Sequence, residues 1–320
     1  MKRCSLFIGI LCLCISHICC GEAERKAAFE AIVSEGMNQI PEKQRAWLDA
    51  QDQTKPRDYR AILKELSAIS KEIKRPALVG ALPENVKKNL HPTILPYDAT
   101  RTLRDKKGFY ISANDVLSPE QAYIVGQAPI EATVPDFWTT ILETDTRIIA
   151  ALAMPHGESN GYAPYFVQGR FPIKIGEWTI EFGDEQVAAV SAADPLQRII
   201  KRTLLAKKEM EVRTLTHLHY ENWKDFGAPE PDLFQKLLGL LSTGEQHPIL
   251  VHCSAGQGRS GTLVVADSLV KDAQKAPPGF RPNIPKRIIE LRFQRKGLLS
   301  TEAQLEAVYK VVDANCLTPL

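Results

Sequence analysis

Apolar residues at Ile62, Leu63, Leu66, Ile69 and Ile73 fall on one helical stripe. They lie in a stretch from Glu22 to about Arg75 that is rich in Ala, Glu, Lys, Gln and Leu, which are good helix formers. Pro41, Pro56 and Pro76 interrupt it, so two or three helices are predicted over 22–82, an extension packed on the main body. From Pro83 the pattern changes to short β-like runs mixed with helices. Arg147–Met154, Trp178–Phe182, Glu211–Tyr220 and His247–Cys253 suit strands. "TVPDFWTTILE" is predicted to be a helix capped by Thr133, with Pro135 in its first turn. Ser260–Ala273 and Thr301–Val312 also carry helical spacing, and Ser300 or Thr301 is placed to cap the second. No internal repeat or low-complexity segment is found. One α/β (α+β) domain over 83–316 accounts for the pattern.

The N-terminus departs from that pattern. Lys2 and Arg3 precede an apolar run from Leu6 to Ile15, followed by Cys19, Cys20 and Gly21 and then by charged residues from Glu22. This is the layout of a signal peptide, predicted over 1–21, and it implies an exported protein, secreted or periplasmic. The run is too short for a membrane span, and no stretch of about eighteen apolar residues occurs elsewhere. The 320 residues carry 40 Lys and Arg against 38 Asp and Glu, so no general polybasic surface for nucleic acid is expected. Five of the seven cysteines lie in the first twenty residues, leaving Cys253 and Cys316. A disulfide framework or a multi-cysteine zinc site in the body is thereby excluded. His217 and His219 share a strand face, but the sequence places no further ligand beside them, so no metal or other cofactor is expected.

The chemistry concentrates in "HCSAGQGRSGT" (His252–Thr262), where an apolar strand enters and a helix leaves. Five residues separate Cys253 from Arg259. Two of them, Gly256 and Gly258, let the backbone curl with its N–H groups inward. Those donors and the helix N-terminus make a phosphate cradle from Ser254, Ala255, Gly256, Gln257 and Gly258, and the same field favours a thiolate at Cys253. Arg259 offers a planar fork for two phosphate oxygens. The Ser260 hydroxyl is placed to donate to the sulfur as it leaves. This arrangement resembles the His-Cys-x5-Arg-Ser/Thr signature of cysteine-dependent phosphatases.

Five further segments extend the likeness. "LPYDATR", "YISAN", "YIVGQAPIEATVPDFW", "HLHYENWKDFGAP" and "LRFQRKGLLSTEAQ" stand in the order found in the protein tyrosine phosphatases. From about Asn89 to Val312 the chain resembles that family. The resemblance implies a central, twisted, mixed β-sheet flanked by helices, with the cysteine loop at the base of a cleft. It implies that Asp225 is the mobile-loop acid and that Gln304 helps place water in the second step. It also implies that His252 supports the cysteine loop from behind.

Four departures bear on substrate. The family's Trp-Pro-Asp is Trp223-Lys224-Asp225 here, the first glutamine of the water-positioning loop is Ser300, the stacking tyrosine is His91, and the acidic residue that grips the substrate backbone is Thr93. Lys224 removes the φ restriction of proline. Together, Lys224 and His91 would suit a more anionic ligand. The expected partner is a phosphotyrosyl protein, which for an exported enzyme includes one of a host. The alternatives are an inositol phosphate or phosphoinositide hydrolysed by the same chemistry, or a weakly active module that binds phosphorylated ligands.

Overall fold

A computed structural model of the chain describes residues 21–51, 57–155, 161–242, 246–277 and 279–317. The predicted signal peptide lies outside the described residues except for Gly21, and so do Pro56 and five of the cysteines.

Three helices form the N-terminal extension: α1 (Glu22–Met37), α2 (Glu42–Asp49) and α3 (Tyr59–Glu72). Asp58 caps α3, its carboxylate accepting from Ala61 N at 2.9 Å. Leu66 and Ile69 of the predicted stripe are fully buried, worth roughly 1.5–3 kcal/mol each by area. The extension shares one core with the rest of the molecule. The buried Arg25 of α1 donates to the carbonyls of Pro119 and Glu120. Gly36 lies so close to the Phe293 ring that a Cβ there would fall 2.4 Å from Phe293 Cγ.

After a short helical turn at Pro83–Val86, eight strands form one mixed sheet. They are β1 (Ala113–Leu117), β2 (Ala122–Gln127), β3 (Ile148–Ala151), β4 (Ile173–Ile175), β5 (Trp178–Val190), β6 (Arg198–Lys208), β7 (Glu211–Glu221) and β8 (Ile249–Cys253), in the spatial order β1-β2-β8-β3-β7-β6-β5-β4. The inner strands β2, β8, β3 and β7 are parallel, whereas the flanking pairs are antiparallel. Strands β2, β3 and β8 are buried along their whole length, as expected where helices cover both faces. The helices are α4 (Val134–Glu143), α5 (Pro231–Leu241), α6 (Gly258–Lys275), α7 (Ile284–Arg292) and α8 (Glu302–Leu317). Strand β8 thus sits mid-sheet and delivers Cys253 at its C-terminal end, where open α/β sheets hold ligands.

Two local expectations are revised. The Thr133 hydroxyl does not cap α4; it bonds the N–H and carbonyl of Ile130, closing a 3-10 turn ahead of the helix. Strand β5 runs eight residues past Phe182, because the polar tail pairs with β6 through two bulges instead of entering the core. Thr301 does serve α8: its hydroxyl accepts from Gln304 N at 3.2 Å.

Candidate active site

The loop after β8 is held from outside. The carbonyl of Ser254 accepts from Ala128 N, and that of Gln257 from Gly261 N and Leu299 N. The carbonyls of Ala255 and Gly256 accept from Nη2 and Nε of Arg295 at 3.0 and 2.6 Å, and that of Gly258 from the Thr262 hydroxyl. With its carbonyls bound outward, the loop presents its N–H edge to the sulfur, and Gly256 N donates to Cys253 Sγ at 3.2 Å. Gly256 has φ +70, and a Cβ there would fall 2.1 Å from the Gly126 carbonyl oxygen. Only glycine meets both conditions.

Arg259, fully buried at the start of α6, donates from Nη1 to the Trp223 carbonyl at 2.9 Å, and its Nη2 lies 3.4 Å from Asp225 Oδ1. The fold therefore brings Asp225 to the cysteine loop from a segment about thirty residues upstream. Asp225 is exposed, and its neighbour Phe226 adopts φ +60 with its carbonyl accepting from the Thr301 hydroxyl. Trp223 anchors the segment, buried with its indole N–H on the Gly227 carbonyl.

Gln304 is fully buried, where sequence allowed an exposed helix position. Its Oε1 accepts from Ser300 N at 3.0 Å and from the Ser300 hydroxyl at 3.3 Å. Its Nε2 is buried without a hydrogen-bond partner among the described residues, and would lie 3.0 Å from a Cβ on Gly258. His91 also reaches the loop: its Nε2 and the Ser254 hydroxyl are 3.0 Å apart. Ser260 differs from expectation. Its hydroxyl is buried with no hydrogen-bond partner among the described residues, and the bond to the sulfur comes from Gly256 N instead. Thr93 and Lys224 are exposed.

Behind the loop His252 is buried, with Nε2 on the Tyr165 hydroxyl at 2.7 Å and Nδ1 3.3 Å from the Cys253 carbonyl. Burial pushes its pKa down to about 3, so it is a neutral support and not a base. The Tyr165 hydroxyl also meets His217, and His219 bonds the Ala153 carbonyl, so both strand histidines are engaged in packing. Among the described residues no three His, Cys, Asp or Glu side chains converge to hold a metal. Cys316 is a half-buried thiol at the end of α8, unpaired like Cys253.

The chief residue missed from sequence is Arg295. It spans Ala255, Gly256 and Asn114, and burial lowers its pKa to about 10, opposed by the nearby Cys253 sulfur. It stands among Arg292 and Lys296; Arg292 is buried as well but bonds the Leu66, Leu298 and Leu299 carbonyls, and nothing in the local pattern marks Arg295 as the one that meets the cysteine loop. Gln127 was missed too: its side chain binds Leu90 N and the Lys88 carbonyl, fixing the segment that carries His91.

A family model described as protein-tyrosine phosphatase matches residues 85–314. The chain belongs to the protein tyrosine phosphatase family. It is 34% identical over 256 residues to human tyrosine-protein phosphatase non-receptor type 12, which covers 74% of this chain and 31% of that protein. It is 32% identical over 247 residues to tyrosine-protein phosphatase 69D of Drosophila melanogaster, covering 72% and 16%. The matched region thus spans less than a third of the length of either relative. The catalytic domain of human protein tyrosine phosphatase non-receptor type 18 is similar at 28% identity and TM-score 0.68, covering 81% of this chain and 96% of that one. A structure of PTPN18 in complex with HER2 phosphopeptides gives 26% identity and TM-score 0.72, covering 86% and 99%. The mixed sheet with flanking helices is the phosphatase fold expected from the motifs.

Proposed function

We propose that the protein hydrolyses phosphotyrosine in protein substrates through a cysteinyl-phosphate intermediate. The observation that carries this reading is the cysteine loop itself: carbonyls bound outward, Gly256 N on Sγ, and Arg259 placed between the sulfur loop and Asp225. In the first step the Cys253 thiolate attacks phosphorus, the P–O bond to the tyrosyl oxygen breaks, and Asp225 gives its proton to that oxygen. In the second step water attacks phosphorus, Asp225 takes back a proton, the P–S bond breaks, and inorganic phosphate leaves. Arg259 and the loop N–H groups bind the equatorial oxygens in both steps. Gly256 N bonds the sulfur that departs, the unpaired Ser260 hydroxyl can turn to it, and Gln304 Nε2 offers a donor for the water.

The family supports a phosphotyrosyl substrate, as does the phosphopeptide complex of PTPN18. His91 beside Ser254 lines the approach to the loop. Side-by-side turnover of a phosphotyrosyl peptide, inositol hexakisphosphate and a phosphoinositide tests this. Preference for the peptide is expected; faster turnover of either inositol compound would overturn the substrate assignment. We propose export as well, on the layout of residues 1–21. Mass spectrometry of the mature N-terminus should find cleavage near Cys20 or Gly21, and an intact Met1 on the exported protein would refute a cleaved leader.

A further inference from the structure

We infer that the turn joining β5 to β6 sets the pose of the acid loop, with Asn222 and Gln197 as positioning residues for Asp225. The inference rests on Asp225 being the acid, as proposed above. The loop runs from Asn222 to Pro229, between the end of β7 and Glu230, the cap of α5. Both of its ends are tied to the same turn. At the entry, Asn222 sits at φ +62, a left-handed conformation that asparagine tolerates better than most residues, and its Nδ2 donates to the Leu196 carbonyl at 2.6 Å. At the exit, Glu230 N donates to the Tyr220 hydroxyl at 2.9 Å, and that hydroxyl donates to Gln197 Oε1 at 3.2 Å.

The turn is a firm anchor because it is internally bonded. Ser191 N meets the Gln197 carbonyl and Gln197 N the Asp194 carbonyl. The Ser191 hydroxyl accepts from Ala193 N and Asp194 N, each at 3.2 Å, and Leu196 N donates to Asp194 at 3.1 Å. Arg198, at the start of β6, pairs with Glu221, the residue before the loop. The interior of the loop is the opposite: Lys224, Asp225 and Phe226 are exposed. Lys224 stands where the family has proline, so the backbone has more conformations to sample and less rigidity of its own. The interior keeps its bonds to Arg259 and Thr301, and the direction of the chain on either side of it comes from the hinges, which in this protein are bonded to the β5–β6 turn.

The test uses aryl phosphates whose leaving phenols span a range of acidity, with the full chain as wild type, Asn222→Asp and Gln197→Ala. The aspartate keeps the shape and the tolerance of left-handed φ but cannot donate to the Leu196 carbonyl. The readout is kcat/KM, which ends with loss of the phenol and so leaves out the second step; a misplaced Asp225 fails to protonate the leaving oxygen, and kcat/KM for the least acidic phenol should fall by about 10-fold or more. For the most acidic phenol, which leaves without help, the loss should shrink to within about twofold. Gln197→Ala should show the same trend more weakly and serves if Asn222→Asp lowers the melting temperature below the assay temperature. A loss equal across all phenols, or no loss in either variant, would overturn the positioning role while leaving the phosphatase reading intact. Failure of the wild type to turn over any aryl phosphate would overturn both.

Discussion

The cysteine loop and the acid loop face each other across the site and are held in different ways. From Ser254 to Gly258 every carbonyl accepts a hydrogen bond from outside the loop, two of them from one buried arginine. The acid loop has three consecutive exposed residues and two non-glycine residues at left-handed φ, Asn222 and Phe226. Such a conformation costs roughly 1–2 kcal/mol at Phe226. The bond from Thr301 to the Phe226 carbonyl returns about 1 kcal/mol, and that from the charged Arg259 to the Trp223 carbonyl about 1.5–3 kcal/mol. The acid loop is therefore held at scattered points around an exposed centre, whereas the cysteine loop is bonded carbonyl by carbonyl. One half of the site is preorganised, and the other presents its proposed acid on an exposed loop.

The sharpest break of this comparison is Cys253→Ser. The alcohol cannot supply the thiolate, and turnover of a phosphotyrosyl peptide should vanish. Surviving activity would remove the covalent mechanism. Asp225→Ala should lower kcat by about 10²–10⁴-fold on the same peptide while leaving the cradle intact, so that phosphate still inhibits competitively. Arg295→Met tests the rigid half. It leaves three buried acceptors unsatisfied, the carbonyls of Ala255 and Gly256 and Asn114 Oδ1, a destabilisation of about 3–9 kcal/mol that a denaturant melt would register, with kcat lowered by about 10-fold or more. An unchanged melt would mean that the loop holds itself. Gln304→Ala should slow only the second step, by about 10-fold for one lost donor, and reveal a burst of phenol in rapid-mixing measurements.

A further effect, on stability and not on turnover, concerns pH and the support behind the loop. Burial depresses His217, holds His219 at about 4 and His252 at about 3, all below the ordinary value of 6.5. Above pH 6.5 neither the folded nor the unfolded chain protonates them. As pH falls below 6.5 the unfolded chain binds protons that the fold refuses, so each costs about 1.4 kcal/mol per pH unit down to its folded value. Asp115, raised by burial to about 7, acts in the opposite sense between 3.8 and 7. Glu120 and Glu290 are raised by burial as well and act with Asp115, but by less; the three histidines outweigh them, and melting temperature should fall between pH 6.5 and 4. A flat profile would mean that the histidines are not neutral in the fold.

Much of the architecture was legible along the chain. The stripe Leu66–Ile69, the strand into Cys253 and the helix out of Arg259 all follow from local spacing. Strands β1, β2, β4 and β6 did not stand out by pattern: β1 contains Asn114 and Asp115, and β6 mixes Arg, Lys and Thr with its apolar residues. For β1 and β6 the neighbours, more than their own residues, make the strand, whereas β2 carries the strong β-formers Tyr123, Ile124 and Val125. In the site, Cys253, Arg259 and Asp225 were recognisable from spacing and motif, while the burial of Gln304 and the unpaired Ser260 hydroxyl were not.

By itself the sequence determined the nucleophile loop, because a five-residue turn between a strand and a helix with glycine at 256 has few conformations open to it. Only the tertiary structure decided which distant groups complete the loop. Arg295 reaches it from beyond α7, Tyr165 reaches His252 from β3's side of the sheet, and the β5–β6 turn reaches both ends of the acid loop. Local sterics act over a few residues, whereas the choice of one buried arginine among several depends on how strands and helices far apart in the chain pack together.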